Sequence, residues 1–418
     1  MDWTSLAAEL RNMILEALIH EGNVAYYPSV CREWQSTIER FNFHSFNPTP
    51  QDIPVFENMT TRNFGLIKYI WYSIELRNYD CTECDRLETD DQRETNQATV
   101  EDGLRTIFCA LSEHPPGGNM TLDISIHSPS DSQHHFKYIR FEPANTLSSR
   151  NPPKPTPYHV STHSPSVPLP SVLAIHKIFW DIEVGADSEE RDFWPSVPTV
   201  PCITHLLLRR QTRRRWGGDN LIPLIARLPN LQDLCYEPWR KWTPLMQHET
   251  DCKLMQWSES PIPRNMKKMT IFEDFNETYI SANRTGSIEA LEAEPVRTTP
   301  MSVTAALAEA SLGLQHLSLA FIIDAVRFWE VRQPYWVWER LLTLSLTSRD
   351  LVPHRGSKDA NSMIIQQHNQ SRTCQNFKLW SSRMKDKDMS QDRSIGCLSL
   401  EILATGAWTV YRNSVRQS

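Results

Sequence analysis

The chain has 418 residues and a mass of 48.5 kDa, enough for two or three compact units. Hydrophobic residues make up 40% and charged residues 22%, so a sizeable core is possible and wholesale disorder is excluded. The net charge of −7 disfavours nucleic-acid binding as the main activity, and scarce glycine (13 residues, against 14 Trp) weighs against repeated phosphate loops.

Taken in chain order, the first predicted elements are two short amphipathic helices. Leu6, Leu10, Ile14 and Leu18 recur at four-residue steps, with Met13 and Leu15 widening the stripe. Ser5 or Thr4 offers a cap, Glu9 suits a capping box, and Gly22-Asn23 ends the helix. A second helix after Pro28 places Val30, Trp34, Ile38 and Phe41 on one stripe.

Residue identity adds to periodicity here. Leu6, Glu9, Leu10, Ile14, Leu15 and Leu18, followed by Val30, Cys31, Arg32 and Trp34, match in type and order the pattern of the F-box, and this end of the chain resembles that module. Ala7 stands where the F-box usually has proline. The resemblance implies docking to a Skp1-type adaptor of a cullin ubiquitin ligase. Leu6, Glu9, Leu10, Ile14, Leu15, Leu18, Val30 and Trp34 would form the partner-binding set, with Trp34 locking the later helix against the first.

Beyond an aromatic and proline-rich connector (43–54), the run Leu66 to Leu76 alternates as a buried strand. The hairpin, IKYIWYSIEL, YDCTECD, LLLRRQTRRRW, YEPWRKW and LQHLSLAFIIDA together resemble a group of uncharacterised filamentous-fungal F-box proteins, up to about residue 355. Asp85 to Thr99 is polar and acidic, and Pro143 to Pro170 is rich in Pro and Ser. Both read as mobile surface insertions.

A weak repeat, apolar-x-x-apolar-x-apolar, occupies the C-terminal two-thirds. It appears at Ile203-Leu206-Leu208, Leu231-Leu234-Tyr236, Met266-Met269-Ile271, Leu314-Leu317-Leu319 and Leu341-Leu344-Leu346, and loosely at Cys397-Leu400-Ile402. Helical stretches fall between them at Leu221 to Leu228 and Val303 to Leu312. Strand then helix, repeated, predicts a degenerate leucine-rich solenoid, or else an irregular α/β domain carrying such strands. The predicted class is α+β: an F-box helical hairpin followed by an irregular leucine-rich-repeat-like α/β domain. The expected divisions are 1–45 for the hairpin module, 46–142 for the linker and first strand and helix units, 143–170 for a loop, 171–355 for the repeat domain, and 356–418 for a polar, divergent end.

Three clusters raise chemistry. Arg209, Arg210, Arg213, Arg214 and Arg215, followed by Trp216, suit an acidic target segment or another anion, a nuclear-import signal, or intramolecular acids such as Glu237, Glu273 and Asp274. Cys81-Thr-Glu-Cys84 lacks a second thiol pair at zinc spacing, although His127, His134 and His135 lie downstream, and it reads as structural thiols. His127 to Asp131 holds triad ingredients within one Ser-Pro turn, whereas triads gather from separate elements.

No metal, cofactor or catalytic residue is expected. The expected role is an interaction protein, a substrate receptor of a Skp1–cullin–F-box ligase bound to an unknown protein target. The alternatives are an F-box-like scaffold detached from any ligase, or an enzyme whose site is unrecognised. No run of about 18 apolar residues or signal-like N-terminus occurs, and the nine cysteines look like reduced thiols. Together these predict an intracellular chain, cytoplasmic or nuclear, with no membrane partner.

Overall fold

The computed structural model describes residues 3–21, 24–137, 139–144, 170–185, 193–241, 243–258, 263–275, 297–348, 381–383 and 396–401. Helix α1 (Ala8–Glu21) and helix α2 (Arg32–Asn42) form the N-terminal pair. Leu15, Ile19 and Ile38 close a small core of their own, onto which Trp3, Leu18, Tyr27 and Trp34 pack. The Trp34 ring sits 5.2 Å from Trp3 and 5.8 Å from Tyr27. Glu33 accepts from Arg11 Nε at 2.8 Å and from Trp3 Nε1 at 2.9 Å, bracing the two helices.

The pair leads into strand β1 (Ser45–Phe46), helix α3 (Ile53–Thr60) and strand β2 (Tyr69–Glu75). Next come α4 (Asp90–Ser112), β3 (Met120–His127), α5 (Val172–Ile178), β4 (Asp181–Ile182), α6 (Phe193–Ser196) and β5 (Ile203–Leu208). Then follow β6 (Arg215–Trp216), α7 (Gly218–Ala226), β7 (Asp233–Tyr236), α8 (Pro244–Leu254) and β8 (Lys268–Phe272). The last elements are α9 (Met301–Ala310), β9 (His316–Asp324), α10 (Ala325–Glu330), β10 (Thr343–Thr347), β11 (Ser381–Arg383) and β12 (Gly396–Glu401).

One ten-stranded sheet runs in the order β1-β2-β3-β5-β7-β8-β9-β10-β12-β11, and β4 pairs with β6 apart from it. From β1 to β10 every pairing is parallel and neighbours follow the chain. Each parallel step needs a crossover, and helices supply most of them. Ile70, Tyr72 and Ile74, Leu122, Ile124 and Ile126, and Leu206 and Leu208 point to one side, where Leu104, Ile107 and Phe108 of α4 and Leu221 and Leu224 of α7 meet them. The alternate residues of each strand face the other way and are polar or half-buried. The result is a mixed fold in which a largely parallel sheet carries one apolar face under helices.

The strands expected at Leu66 to Leu76 and at the five apolar repeats from Ile203 to Leu346 correspond to β2, β5, β7, β8, β9 and β10. The helices expected at Leu221 to Leu228 and Val303 to Leu312 correspond to α7 and α9. Two expectations are corrected. Asp85 to Thr99 does not form a mobile insertion, because Asp90 opens the 23-residue α4. Thr89 Oγ1 accepts from the Gln92 amide at 3.3 Å and Gln92 Oε1 accepts from the Thr89 amide at 3.1 Å, a capping box that starts this helix despite its polar first turns. Its later positions Val100, Leu104, Ile107, Phe108 and Leu111 then supply the buried face.

The repeat at Cys397-Leu400-Ile402 is the second correction. Strand β12 pairs antiparallel with β10, so it ends the parallel series instead of extending it. Most of the Pro143 to Pro170 loop and of the 356–418 region lies outside the described residues. One close approach explains a glycine: a Cβ on Gly218, at the start of α7, would lie 2.2 Å from the Lys253 carbonyl oxygen of α8.

Candidate functional site

Four surfaces or clusters bear on function, and the first is α1. Its two sides have opposite fates. Leu15 is 0% exposed and Ile19 is buried, whereas Leu10 (49%), Met13 (64%) and Ile14 (40%) stand in solvent. Positions i, i+3 and i+4 share a helix face, so these three form one apolar stripe. Glu9 and Val30 are exposed too, Leu6 and Leu18 are half-buried, and Trp34 is committed to the inter-helix core. Leu15 is therefore corrected from a partner contact to a core residue: it fills the gap between the helices. Met13, outside the expected partner set, is the most exposed of the stripe.

The second surface is the open face of the sheet. Thr121, His205, Asp233, Lys268, His316 and Thr343 are successive register partners and form a lateral row across six strands. His205 Nε2 lies 3.3 Å from Asp233 Oδ2, and His316 Nδ1 lies 2.9 Å from Thr343 Oγ1. A cleft of about 810 Å³ opens over the row between β2 and β8. Burial pushes the Cys235 thiol up to about 12, so on this face it is a neutral contact group.

The third is the arginine cluster, where the structure shows the intramolecular partners, Glu237, Glu273 and Asp274 among them, rather than cations left free for a target or anion. Each arginine has a partner within the chain. Arg209 reaches Asp123 at 2.7 Å and the Glu142 carbonyl at 2.6 Å. Arg210 binds Asp274 at 2.8 Å, with Glu237 at 4.0 Å. Arg213 donates to the Arg210 carbonyl at 2.6 Å, and its guanidinium lies 4.2 Å from the Trp239 ring centre. Arg214 pairs with Asp131 at 2.5 Å, and Arg215 donates to the Trp239 carbonyl at 3.2 Å. Trp216 is buried, so the cation stacks on Trp239 instead. Arg214 and Arg215 are too buried to serve as an import signal.

The network centres on Glu273, which is 0% exposed. Arg297 Nε approaches it at 2.7 Å, Arg240 Nε at 3.4 Å and Arg215 at 3.9 Å. Arg297 also forks onto both oxygens of Asp251 at 2.8 Å each. Burial alone would raise the Glu273 pKa, but Arg297, Arg240 and Arg215 outweigh it and hold the carboxyl below its usual range. Asp123 is the opposite case, because burial outweighs Arg209 and raises it. Asp131, the arginines from Arg209 to Arg215, Glu237, Arg240, Glu273 and Asp274 follow the ends of β3, β5, β7 and β8. In open parallel sheets that edge is the usual ligand crevice, and here intramolecular ion pairs fill it.

The sequence LLLRRQTRRRW suggests a patch because it shows the cations without their acids. The signal for the internal reading is Glu237, Glu273 and Asp274, each just past a strand. His127 to Asp131 is also settled as a turn: Ser128 and Asp131 form the cap of a 3₁₀ helix (Pro129–Ser132). Burial lowers the His127 pKa to about 4, with Arg214 acting in the same direction.

A fourth grouping was incompletely read from spacing. The Cys81–Cys84 turn meets the adjacent His134 and His135, with Cys81 Sγ 3.4 Å from His134 Nδ1 and Cys84 Sγ 3.7 Å from His135 Nε2. Burial, then Asp85 and Cys81, push the Cys84 thiol up to about 11.

Residues 261–369 match the model of a family of unknown function (DUF6546). The match spans β8 to β10, about a quarter of the chain. No curated protein and no solved structure matches it. Among the described residues, no helix is long and apolar enough to cross a membrane.

Proposed function

We propose that this chain is the substrate receptor of a Skp1–cullin–F-box type ubiquitin ligase. The α1–α2 pair would be its F-box, and the parallel sheet with its helices a degenerate leucine-rich-repeat-like domain that binds a protein target. The observation that carries this reading is the division of α1. One side is locked to α2 by Leu15, Ile19 and Ile38, and the other exposes Leu10, Met13 and Ile14 to a partner. Exposed apolar side chains in one contiguous stripe mark interaction sites, and a helix face set into an apolar groove is a common docking mode.

The sheet supports the target-binding half of the proposal. Parallel strands that neighbour one another in chain order, with helices on one face, are what stacked strand–helix units produce. Among the described residues the row from Thr121 to Thr343 on the opposite face is half-buried or exposed, and its mixed Thr, His, Asp and Lys side chains suit a polar protein segment. On this reading the mechanism is proximity. The chain holds the ligase at one end and the target at the other, inside the cell, and contributes no catalytic group to ubiquitin transfer.

The test is binding of the purified chain to a Skp1-type adaptor. Submicromolar binding is expected, and a Leu10→Asp/Ile14→Asp variant with an unchanged circular dichroism spectrum should lose it. A folded wild-type chain that does not bind would contradict the receptor reading.

A further inference from the structure

We propose that the Cys81–Asp85 turn and the His134–His135 pair form a binding site for a thiophilic divalent cation of the zinc type. Cys84 Sγ, His135 Nε2 and the Asp85 carboxylate would ligate it, and Cys81 Sγ, which lies outside that group against His134 Nδ1, would turn in as the fourth ligand.

The ligand atoms of Cys84, Asp85 and His135 all lie within 4.8 Å of one another. Their pairwise spacings match those around a four-coordinate ion. Tetrahedral zinc, with bonds of about 2.3 Å to sulfur and about 2.05 Å to nitrogen, sets an S···N edge of about 3.6 Å. The Cys84–His135 separation of 3.7 Å is close to that value. Asp85 stands 3.0 Å from His135 Nε2 through Oδ1 and 3.9 Å from Cys84 Sγ through Oδ2.

The surroundings orient these groups. His134 Nε2 lies 3.2 Å from the Tyr79 carbonyl, which can only accept, so Nε2 carries the proton and Nδ1 turns its lone pair toward Cys81. Ser171 Oγ donates to Asp85 at 2.6 Å, fixing that carboxylate. Cys84 is buried and His135 half-buried, so the site is built into the fold. Two thiolates and one carboxylate would leave a bound divalent ion at net −1. Lys177, itself buried, supplies nearby positive charge, its Nζ lying 4.8 Å from the Tyr79 ring centre.

Binding would break two S–H bonds, release both protons to solvent and form two sulfur–metal bonds. The ion would pin the loop after β2 to the segment after β3. Sequence spacing hides such a site because its halves lie about fifty residues apart and meet only through the parallel pairing of those strands.

The full-length chain, reduced and stripped with chelator, should take up one equivalent of zinc. Cobalt in its place should show tetrahedral visible bands and near-ultraviolet thiolate charge transfer. Cys84→Ser and His135→Ala should abolish uptake. Cys81→Ser should halve the charge-transfer intensity, and Cys109→Ser, elsewhere on α4, should change nothing. Asp85→Asn removes an exposed charge and folds regardless. It should weaken zinc about tenfold or more, which keeps the test decisive if the buried variants do not fold. Failure of the reduced wild type to bind zinc, or uptake unchanged in Asp85→Asn and Cys84→Ser, would overturn the site.

Discussion

Helix α1 and the Arg209–Trp216 segment invert the ordinary rule of burial. The first leaves Leu10, Met13 and Ile14 in water, and the second takes Arg214 and Arg215 out of it. Partner supply explains both. Among the described residues α1 packs on α2 with Trp3 and Tyr27, which cover one of its two apolar sides. The arginines emerge at the end of β5 among acids delivered by β3, β7 and β8, and each guanidinium meets a carboxylate, a carbonyl or a ring. On the proposed function the exposed apolar stripe meets a second molecule, whereas a buried cation is already satisfied within the chain.

The comparison can be broken most severely at Glu273. Replacing it with Ala leaves Arg215, Arg240 and Arg297 around a missing anion, and unpairing a buried charge costs about 3–5 kcal/mol. Denaturant unfolding should show that loss, and a near-neutral result would mean that the network is solvated. On α1, Leu15→Ala should destabilise the N-terminal pair by about 2–5 kcal/mol. Leu10→Asp/Ile14→Asp should stay within about 0.5 kcal/mol per exposed site. Equal costs in thermal unfolding would erase the two-sided helix.

The His127 prediction concerns pH. Its folded pKa of about 4 lies below the unfolded value near 6.5, so the unfolded state takes up the proton first as pH falls. The stabilisation is complete above about pH 6.5 and is lost down to about pH 4, on the order of 3 kcal/mol at most. His127→Phe keeps the ring stacked on Phe141 and should flatten unfolding free energy in that window. A slope unchanged in the variant would assign the acid sensitivity elsewhere. Gly218→Ala should cost about 1–3 kcal/mol in denaturant unfolding, because the added methyl meets the Lys253 backbone and not a side chain that can turn away.

Much of the sheet was legible in the sequence because each buried strand writes its own apolar alternation. Leu206-x-Leu208, Leu234-x-Tyr236 and Leu344-x-Leu346 need no distant residue to be recognised. Helix α4 was missed because its polar first turns outweighed composition, although Thr89 and Gln92 announce its start. The direction of β12 was hidden because alternation is the same in parallel and antiparallel strands. The arginine network was legible as far as Glu237, Glu273 and Asp274, each just past a strand, whereas the Cys–His grouping joins residues about fifty positions apart, and no local pattern records that. On α1, periodicity marked an apolar helix but could not divide Leu15 from Leu10, since the outcome depends on where α2 packs.

The most direct test of this division is hydrogen exchange on the full chain, with and without a Skp1-type adaptor. The account predicts slowed exchange across α1 around Leu10 to Ile14, and no change across Arg209 to Trp216. Protection centred on the arginine segment, with α1 unaffected, would contradict it.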